Sequence, residues 1–519
     1  MIIIDNTRLP ETHDVEAVNS AGHRQAALYE ARKKIFPKRA SGWFRRFKWL
    51  LMLVTLSIYY VTPWLKWDRG PFAPDQAVLL DLAKQRFYFF FIEIWPHEFY
   101  YVAGLLVMAG VGLFLITSTV GRAWCGYACP QTVWVDLFIA VEQLIEGDRN
   151  ARIRLDAAPW SAGKLARRVT KHSVWLLIGL ATGGAWIFYF ADAPSLLVDF
   201  FTLKAPAVAY FTVAILTATT YTFGGLMREQ VCTYMCPWPR IQAAMLDEHS
   251  LTVTYNDWRG EPRGKAAKKA NAAQKPVGDC IDCKACVAVC PMGIDIRDGQ
   301  QLECITCALC IDACDGVMDK LGRERGLISY ATLSDYTSNV ALAQDDRGRI
   351  QPSRIRDAAG QFLPTLRHTR WQSVLSLRTL IYFFAWAAIG VAMLVALSMR
   401  PSIGLNVLHD RNPLFVMLAD GSIQNGFDVK VLNMTNESHD LVLSIEGLDG
   451  ATLSGPGLAD QGKTQLEVSV EPDLVLPLRV YVRSTARDLP EQTDFTMVIT
   501  SADHAMSAEA GVRFEAPEK

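Results

Sequence analysis

Eight cysteines in one stretch of the chain constrain its chemistry more than any other feature. They form two copies of one frame, C-x2-C-x2-C-x3-C, which begin at Cys280 and at Cys304. Zinc sites usually use two separated C-x2-C pairs, and disulfides rarely fall in so dense and regular a frame. The matched spacing of all eight positions therefore favours iron–sulfur ligation over zinc binding or a disulfide scaffold.

The two frames predict two [4Fe–4S] clusters with interleaved ligands. In this spacing, which is typical of bacterial two-cluster ferredoxins, three cysteines of a frame hold one cluster and the fourth binds the other. The first predicted ligand set is Cys280, Cys283, Cys286 and Cys314. The second predicted ligand set is Cys304, Cys307, Cys310 and Cys290. We expect this region to store and transfer electrons.

The hydrophobic content is high for a soluble protein. The 519 residues are 50% hydrophobic and 20% charged, and the net charge of -1 argues against a nucleic-acid partner. A helix needs about 20 predominantly apolar residues to cross a bilayer, and five stretches approach this requirement. The predicted spans are Lys48–Leu65, Glu98–Thr119, Val174–Phe190, Ala207–Leu226 and Leu380–Ser398.

The charges of the loops give an orientation for these spans. Basic residues are concentrated after the second span, from Arg122 to Lys171, whereas the loop after the third span has only Lys204. Because cytoplasmic loops carry the excess of positive charge, we expect a multi-pass protein of the bacterial inner membrane. Its amino terminus and ferredoxin region would be cytoplasmic, in a reducing compartment that suits cluster thiolates, and its carboxyl terminus periplasmic.

After residue 401 the sequence changes to segments in which apolar and polar residues alternate. Five such segments, separated by turn residues, predict an immunoglobulin-like β-sandwich in which no catalytic set is visible. The segments are 427–431, 441–445, 466–470, 478–482 and 495–499.

The predicted fold class is a multidomain membrane protein with three kinds of structure. These are an α-helical transmembrane bundle of five spans, a cytoplasmic two-cluster ferredoxin insert and a C-terminal immunoglobulin-like β-sandwich. Residues 260–275 are expected to be a basic, alanine-rich linker into the insert. The predicted segments are a cytoplasmic N-terminal segment (1–46), a membrane domain (47–240), the ferredoxin domain (241–330), a cytoplasmic linker (331–379), the fifth span (380–398) and the periplasmic domain (401–519).

Four further cysteines form a second repeated motif. The sequences G-R-A-W-C-G-Y-A-C-P from Gly121 and C-T-Y-M-C-P from Cys232 both place C-x3-C-P at the cytoplasmic end of a predicted span. Residues four apart share one face of a helix, so the two motifs can bring Cys125, Cys129, Cys232 and Cys236 together. This arrangement favours a soft ion such as Cu(I). A third iron–sulfur cluster, a redox-active dithiol and buried free cysteines are the alternatives.

At these motifs the chain resembles the CcoG/RdxA/FixG family, accessory proteins for the assembly of cbb-type cytochrome oxidases. The resemblance rests on G-R-A-W-C-G-Y-A-C-P-Q-T-V-W from Gly121, C-T-Y-M-C-P-W-P-R from Cys232, the two ferredoxin frames and the strand-rich C-terminal region. The second frame departs from the ferredoxin pattern because Asp315, and not proline, follows its last cysteine. The ligand count is unaffected. The resemblance implies reduction of Cu(II) to Cu(I) for the oxidase copper site.

Together these features predict an oxidoreductase that works as an electron relay. A cytoplasmic donor would reduce the clusters, and Cu(II) held by the four C-x3-C-P cysteines would accept one electron, with no acid–base or nucleophilic residue required. The alternatives are a quinone-linked relay, with a quinol site near Trp95–Tyr101, and a non-enzymatic oxidase assembly factor. The expected partners are membrane lipid, oxidase subunits or copper-delivery proteins, the cytoplasmic donor and a second copy of the chain in a homodimer.

Overall fold

The described part of the chain forms two units. The structure, a computed structural model, describes residues 12–18, 33–264, 277–357, 361–435, 437–456, 463–485, 490–501 and 506–517. The predicted basic linker 260–275 therefore lies outside the described residues from position 265 onward. The first unit comprises residues 1–65 and 77–391, and the second comprises residues 66–76 and 392–519.

The first unit begins with helices and one small antiparallel sheet. Helix α1 (Trp43–Val61) precedes strands β1 (Val78–Asp81), β2 (Arg86–Phe89) and β3 (Ile92–Ile94), which pair in that order. The helices that follow are α2 (Tyr100–Val120), α3 (Ala123–Tyr127), α4 (Pro130–Ile145), α5 (Arg149–Ala157), α6 (Ala162–Ile187), α7 (Ala193–Phe201), α8 (Ala207–Thr220) and α9 (Trp238–Met245). Helix α8 continues in π-helical form over Tyr221–Met227, and a further π-helical turn spans Val231–Met235.

Three helices among the described residues are long and apolar enough to cross a membrane. They are Pro96–Val120, Ala207–Met227 and Leu377–Ser398, and they coincide with the second, fourth and fifth predicted spans. The first and third predicted spans overlap α1 and α6 and run three or four residues beyond them; the amino-terminal turns of both helices carry several lysines and arginines. Membrane association therefore follows from three helices, and the five-span topology stays a prediction.

Glycines allow α6 and α8 to approach each other closely. A Cβ atom on Gly183 would lie 2.9 Å from the carbonyl oxygen of Val213, and one on Gly179 would lie 3.1 Å from that of Thr217. Small residues at such contacts are typical of helices that pack within a bilayer. The third predicted span is therefore a packed partner of an apolar helix.

The ferredoxin region lies between two paired strands. Strand β4 (Thr252–Tyr255) pairs antiparallel with β5 (Ile328–Ala331). Between them are α10 (Asp257–Gly260), α11 (Ala285–Val289) and α12 (Leu309–Lys320), and the cysteine loops precede the last two. After β5 come α13 (Leu333–Ala343), α14 (Trp371–Val374) and α15 (Leu377–Ser398).

The two cysteine frames share one backbone conformation. Asp282 and Thr306 occupy equivalent positions and have φ angles of 53° and 49°; Lys284 and Ala308 are also equivalent and have φ angles of 55° and 59°. Non-glycine residues rarely adopt this left-handed conformation. Its occurrence at the same two positions of both frames shows that the sequence repeat is also a structural repeat.

The helices that follow the two loops differ in length. Helix α11 ends at Val289, immediately before Cys290 and Pro291, because the residue that precedes a proline disfavours the helical conformation. Helix α12 passes through Cys314 and Asp315 and ends at Lys320. The departure from the ferredoxin pattern at Asp315 therefore lengthens a helix.

The second unit contains two antiparallel sheets that enclose an apolar core. Its strands are β6 (Ile403–His409), β7 (Val416–Met417), β8 (Ile423–Asn433), β9 (His439–Glu446), β10 (Ala451–Ser454), β11 (Gln465–Val470), β12 (Leu474–Ser484), β13 (Gln492–Ser501) and β14 (Ser507–Glu515). One sheet has the order β10-β12-β8-β6 with β7 also on β8, and the other has the order β11-β9-β13-β14. Each of the five predicted segments lies within one of these strands. Phe427, Val429 and Val431 are fully buried while their neighbours on β8 point outward.

Candidate metal centres

The four cysteines of the first predicted ligand set lie together. Cys314, on α12, is close enough to Cys280, Cys283 and Cys286 for their charges to interact. Burial, followed by these neighbouring thiolates, raises the pKa of the Cys314 thiol well above its usual range. The fourth cysteine of the second frame thus joins the three cysteines of the first frame, as interleaved ligation requires.

The second predicted ligand set is arranged in the same way. Cys290, which closes the first frame, interacts with Cys307 and Cys304, and burial raises its pKa to about 12. Cys310 interacts with the same three thiols and with Cys286 of the first set. The two sets are therefore neighbours, which suits transfer of an electron between them.

Ion pairs fix the loop that carries the first frame. Asp279 precedes Cys280 and accepts from Arg259 at 2.6 Å and from Arg356 at 2.9 Å. Arg297 pairs with Asp295 at 2.6 Å. Burial raises the pKa of the Cys286 thiol above its usual range, and the Arg297 charge partly opposes that rise. Positive charge beside this ligand set stabilises its thiolates.

The C-x3-C-P motifs do not form the continuous α-helix from which their geometry was predicted. Cys125 lies in α3, and Cys129 precedes Pro130, the first residue of α4, where proline is well accommodated. Cys232 lies in the π-helical turn, and Cys236 follows it. The local prediction was wrong because the chain bends between the two cysteines of each motif.

The four cysteines of these motifs nevertheless lie together. Cys232 interacts electrostatically with Cys129, Cys125 and Cys236. Burial raises the pKa of Cys232 to about 12 and that of Cys125 to about 11, and the Arg122 guanidinium opposes both shifts. We call Cys125, Cys129, Cys232 and Cys236 the four-thiol group.

Gln242 is a neighbour of the four-thiol group that sequence reasoning did not identify. It is fully buried on α9, where its Oε1 accepts from the Cys125 thiol at 3.0 Å. Its Nε2 donates to Thr117 Oγ1 at 3.2 Å. The sequence signal that could have identified Gln242 is its position as a polar residue on the buried face of the amphipathic segment after the second motif.

The four-thiol group contacts the second cysteine frame. A Cβ atom on Gly126 would lie 2.5 Å from the carbonyl oxygen of Ile305 and 3.0 Å from Cys307 Cα. The Tyr127 hydroxyl donates to the Cys307 carbonyl at 3.1 Å. Arg122 donates to the carbonyl of Leu302. Helix α3 is therefore seated directly on the loop of the second frame.

Two charges link the second frame to the surrounding helices. Arg122 acts on Cys304 of the second ligand set as well as on the four-thiol group. Asp312, between the last two cysteines of the second frame, accepts from the backbone N–H groups of Phe44 and Arg45 at 3.2 and 2.7 Å. These N–H groups belong to the first turn of α1, where a helix lacks internal acceptors. The ferredoxin region thereby caps α1.

A buried ion network connects the segment that follows the first C-x3-C-P motif to the segment that precedes the second. Glu142 on α4 pairs with Arg152 at 3.0 Å, Arg228 at 2.9 Å and Lys171 at 3.4 Å. Burial alone would raise the pKa of Glu142, but the three cations outweigh it and lower the pKa from 4.5 to about 2. Because Arg228 immediately precedes the second motif, this network holds the two halves of the repeat in register.

The donor chemistry of both ligand sets fits iron–sulfur clusters. Among the residues the structure describes, no group of three or more His, Cys, Asp or Glu side chains, the four-thiol group included, is arranged to hold one metal ion. Thiolates that bind separate irons of a cube stand farther apart than thiolates that bind one ion. Three of the eight ferredoxin cysteines are buried and five are partly buried, and they are sulfur-only donors, as [4Fe–4S] clusters require.

In the aromatic region suggested as a quinol site, Trp95 and Tyr101 are buried, whereas Phe99 and Tyr100 are more than half exposed. Trp95 is 2% exposed, and the guanidinium carbon of Arg86 lies 3.7 Å from its ring centroid. The backbone N–H of Trp95 donates to the Glu98 carboxylate at 3.1 Å. Trp95 therefore serves to pack the small sheet against the start of α2.

Sequence comparisons place all twelve cysteines within iron–sulfur regions. Residues 102–145 match a family described as a 4Fe-4S binding domain, and residues 227–333 match one described as a 4Fe-4S dicluster domain. Residues 393–517 match the immunoglobulin-like fold at the C-terminus of FixG. The nitrogen fixation protein FixG of Rhizobium meliloti (strain 1021) is 68% identical over 470 residues, which cover 90% of each chain. The chain belongs to the CcoG/RdxA/FixG family.

Two further relatives support membership of the CcoG/RdxA/FixG family. Protein RdxB of Cereibacter sphaeroides is 54% identical and covers 92% of this chain and 95% of its own. Protein RdxA of the same organism is 50% identical, with 93% and 96% covered. This CcoG/RdxA/FixG protein is thus an iron–sulfur electron-transfer protein with membrane-type helices and an immunoglobulin-like C-terminal region.

Proposed function

We propose that this protein is a cupric reductase in which the four-thiol group binds Cu(II) as substrate and releases Cu(I). The observation that supports this proposal best is the contact of Gly126 with the backbone of Cys307. It puts the four-thiol group beside one of the two predicted cluster ligand sets. The site of reduction and the source of electrons would therefore be neighbours.

The resident cofactors of the proposed reductase are two [4Fe–4S] clusters, which supply one-electron storage and exchange when bound. Cys280, Cys283, Cys286 and Cys314 would hold one cluster, and Cys304, Cys307, Cys310 and Cys290 the other. The protein itself buries or partly buries the thiols and fixes their loops. Arg122 stabilises negative charge on both sides of the contact.

The chemistry of copper suits the four-thiol group. Cu(II) gains one electron and becomes Cu(I), with no proton transferred and no covalent bond broken, and thiolates prefer the softer Cu(I). Because burial raises the pKa of Cys125 to about 11 and that of Cys232 to about 12, both are protonated at neutral pH without metal. Copper binding would therefore release protons.

The surroundings of this reaction follow from the same proposal. The amino terminus and the ferredoxin region would face the cytoplasm of a bacterium, where a donor supplies electrons, and the chain would cross the inner membrane five times. The C-terminal sandwich would lie in the periplasm and dock oxidase subunits or copper-delivery proteins. The family resemblance supports oxidase assembly as the use of the Cu(I).

A second candidate function is a relay through a third cluster at the four-thiol group. The specific observation in its favour is the match of residues 102–145, which include Cys125 and Cys129, to a 4Fe-4S binding domain. In that case the group would be a resident redox centre and the final electron acceptor would lie elsewhere.

Metal analysis of anaerobically purified full-length protein tests both candidates. We expect about eight iron atoms per chain, and we expect the dithionite-reduced protein to convert Cu(II) to Cu(I), detected with a Cu(I)-specific chelator. Serine at all four positions of the four-thiol group should keep the iron and abolish the conversion. If that variant still reduced copper, the site assignment would fail. About twelve iron atoms, falling to about eight in the variant, would establish the third cluster.

A further inference from the structure

An open cavity lies between α1, α4 and the ferredoxin region. It has a volume of about 480 Å³, and its walls include Arg45 and Trp49 of α1 and Asp136 and Ala140 of α4. This volume is within the range of small-ligand sites, about 300–1,000 Å³. The proposed copper chemistry makes no use of it.

The cavity reaches the cysteine frames. Val289 and Pro291 flank Cys290, Leu309 precedes Cys310, and these three flanking residues line the cavity. Cys290 and Cys310 belong to the same predicted ligand set. A redox-active ligand in the cavity would therefore lie beside the sulfurs that hold one cluster.

Asp136, one of the lining residues, carries an unsatisfied hydrogen-bond acceptor. Its side chain is 6% exposed; Oδ1 accepts from Arg45 Nη1 at 2.8 Å and lies 3.8 Å from Lys48 Nζ. Within the described part of the chain, its buried Oδ2 has no hydrogen-bond partner. A buried polar atom without a partner is rare and costly. A ligand that donates an O–H group would satisfy it, whereas a phosphate or a carboxylate would bring only further acceptors.

The remaining walls combine polar side chains, among them Lys38, Arg39 and Gln143, with an apolar part that suits a ring and a tail. Ile139, Ala140 and Leu309 contribute apolar surface. Trp49 and Leu144, which also line the cavity, are 40% and 80% exposed. Trp49 lies in the amino-terminal part of α1, where the first predicted membrane span begins, so the cavity opens at the level of the membrane interface.

We propose that this cavity binds the hydroquinone head group of a membrane quinol, with one ring hydroxyl donating to Asp136 Oδ2. Oxidation of the hydroquinone to the quinone breaks two O–H bonds. It releases two protons to water and two electrons, one for each of the two [4Fe–4S] clusters. The proposal rests on the electron relay of the proposed function and identifies the class of its electron donor. The site lies at α4 and differs from the region Trp95–Tyr101.

The test uses full-length, anaerobic, cluster-loaded protein in lipid nanodiscs without copper. A photoreactive azidoquinone should label peptides from α4, and duroquinol should reduce the clusters. Asp136→Asn should slow reduction by duroquinol about tenfold, and Ala140→Trp, which fills the cavity, should abolish labelling. The matched control Asp156→Asn changes an exposed carboxylate on α5 and should behave as the unmodified protein. Unchanged iron content and unchanged reduction by dithionite show that each variant is folded.

Three results would overturn the quinol site. They are labelling confined to other segments, an Asp136→Asn variant that duroquinol reduces at the unmodified rate, and reduction by reduced flavin or nicotinamide but not by duroquinol. None of these results would change the copper reduction that is expected of the dithionite-reduced protein. Conversely, the four-serine variant should lose copper reduction and keep its response to duroquinol, so failure of either proposal is separately visible.

Discussion

The two cysteine frames have the same spacing and the same loop conformation, but their surroundings differ. The first frame is fixed by ion pairs within the ferredoxin region, such as Asp279 with Arg259. The second frame is fixed by α1 and α3, through Asp312 and the close approach of Gly126. Identical ligand spacing therefore does not make the two sites equivalent. Among the described residues, α3, which carries Cys125 of the four-thiol group, contacts the second frame. In the proposed relay this contact would give electron transfer its direction.

The largest effect should come from exchanging the residue that follows each frame. Asp315→Pro places a proline inside α12, where it removes a hydrogen bond and clashes with the preceding turn, at a cost of about 3 kcal/mol or more. The reciprocal change Pro291→Asp, at the end of α11, should cost less than about 1 kcal/mol. Thermal unfolding, followed by loss of cluster absorbance, measures both changes. Equal destabilisation would show that the different helix lengths have no energetic meaning.

The next effect concerns the close approach of α3 to the second frame. Gly126→Ala should cost about 1–3 kcal/mol, because the added methyl group meets backbone atoms that cannot yield easily. Gly316→Ala is the control: it lies in α12 with no atom near the new methyl group, and it should stabilise the protein by about 0.5–1 kcal/mol. If the two alanine variants had the same melting temperature, the contact would be looser than described.

A third pair of variants tests whether the reduction potentials of the two clusters are set by separate charges. Arg122→Gln removes positive charge beside Cys304, and Arg297→Gln removes it beside Cys286. Each should lower the reduction potential of its own cluster by about 60 mV, which corresponds to a tenfold change for one electron. Redox titration monitored by EPR separates the two signals. A shift of both potentials in either variant would contradict the separate surroundings of the two sites.

The smallest effect concerns the cap of α1. Asp312→Ala makes the second frame resemble the first, which has Ala288 at the equivalent position. It should cost about 1 kcal/mol by exposing two N–H groups, and Asp319→Ala, at an exposed position on the same helix, should leave the stability nearly unchanged. Hydrogen exchange at Phe44 and Arg45 measures the loss directly. Unchanged exchange rates there would rule out the cap.

Features that depend on the spacing of a few neighbouring residues could be predicted from the sequence. The spacing of the frames gave ligand groups that do lie together, and alternation gave five segments that lie in strands of the sandwich. The C-x3-C-P motifs were less predictable, because Pro130 and a π-helical turn interrupt the expected helix. The two cysteines of each motif lie close together because separate segments fold against each other, and not because they share one helix face.

Contacts between distant segments could not be predicted from these patterns. Gly126 and Cys307 are 181 positions apart in the sequence, and nothing in two identical frames indicates which one α3 contacts. Glu142 was also missed, since a lone acid after an apolar run does not reveal three cations from other helices. Such residues become informative only when the chain is folded.

The cap of α1 has a consequence for biosynthesis. The N–H group of Arg45 and the carboxylate of Asp312 are separated by 267 residues. At a translation rate of about 5–20 residues per second, the acceptor leaves the ribosome roughly 15 to 50 seconds after the donor. Helix α1 must therefore form first with the N–H groups of its amino-terminal turn uncapped. Asp312 can accept from them only after the ferredoxin region has been synthesised. The same short segment that holds a cluster thus marks the end of assembly for the first helix of the chain.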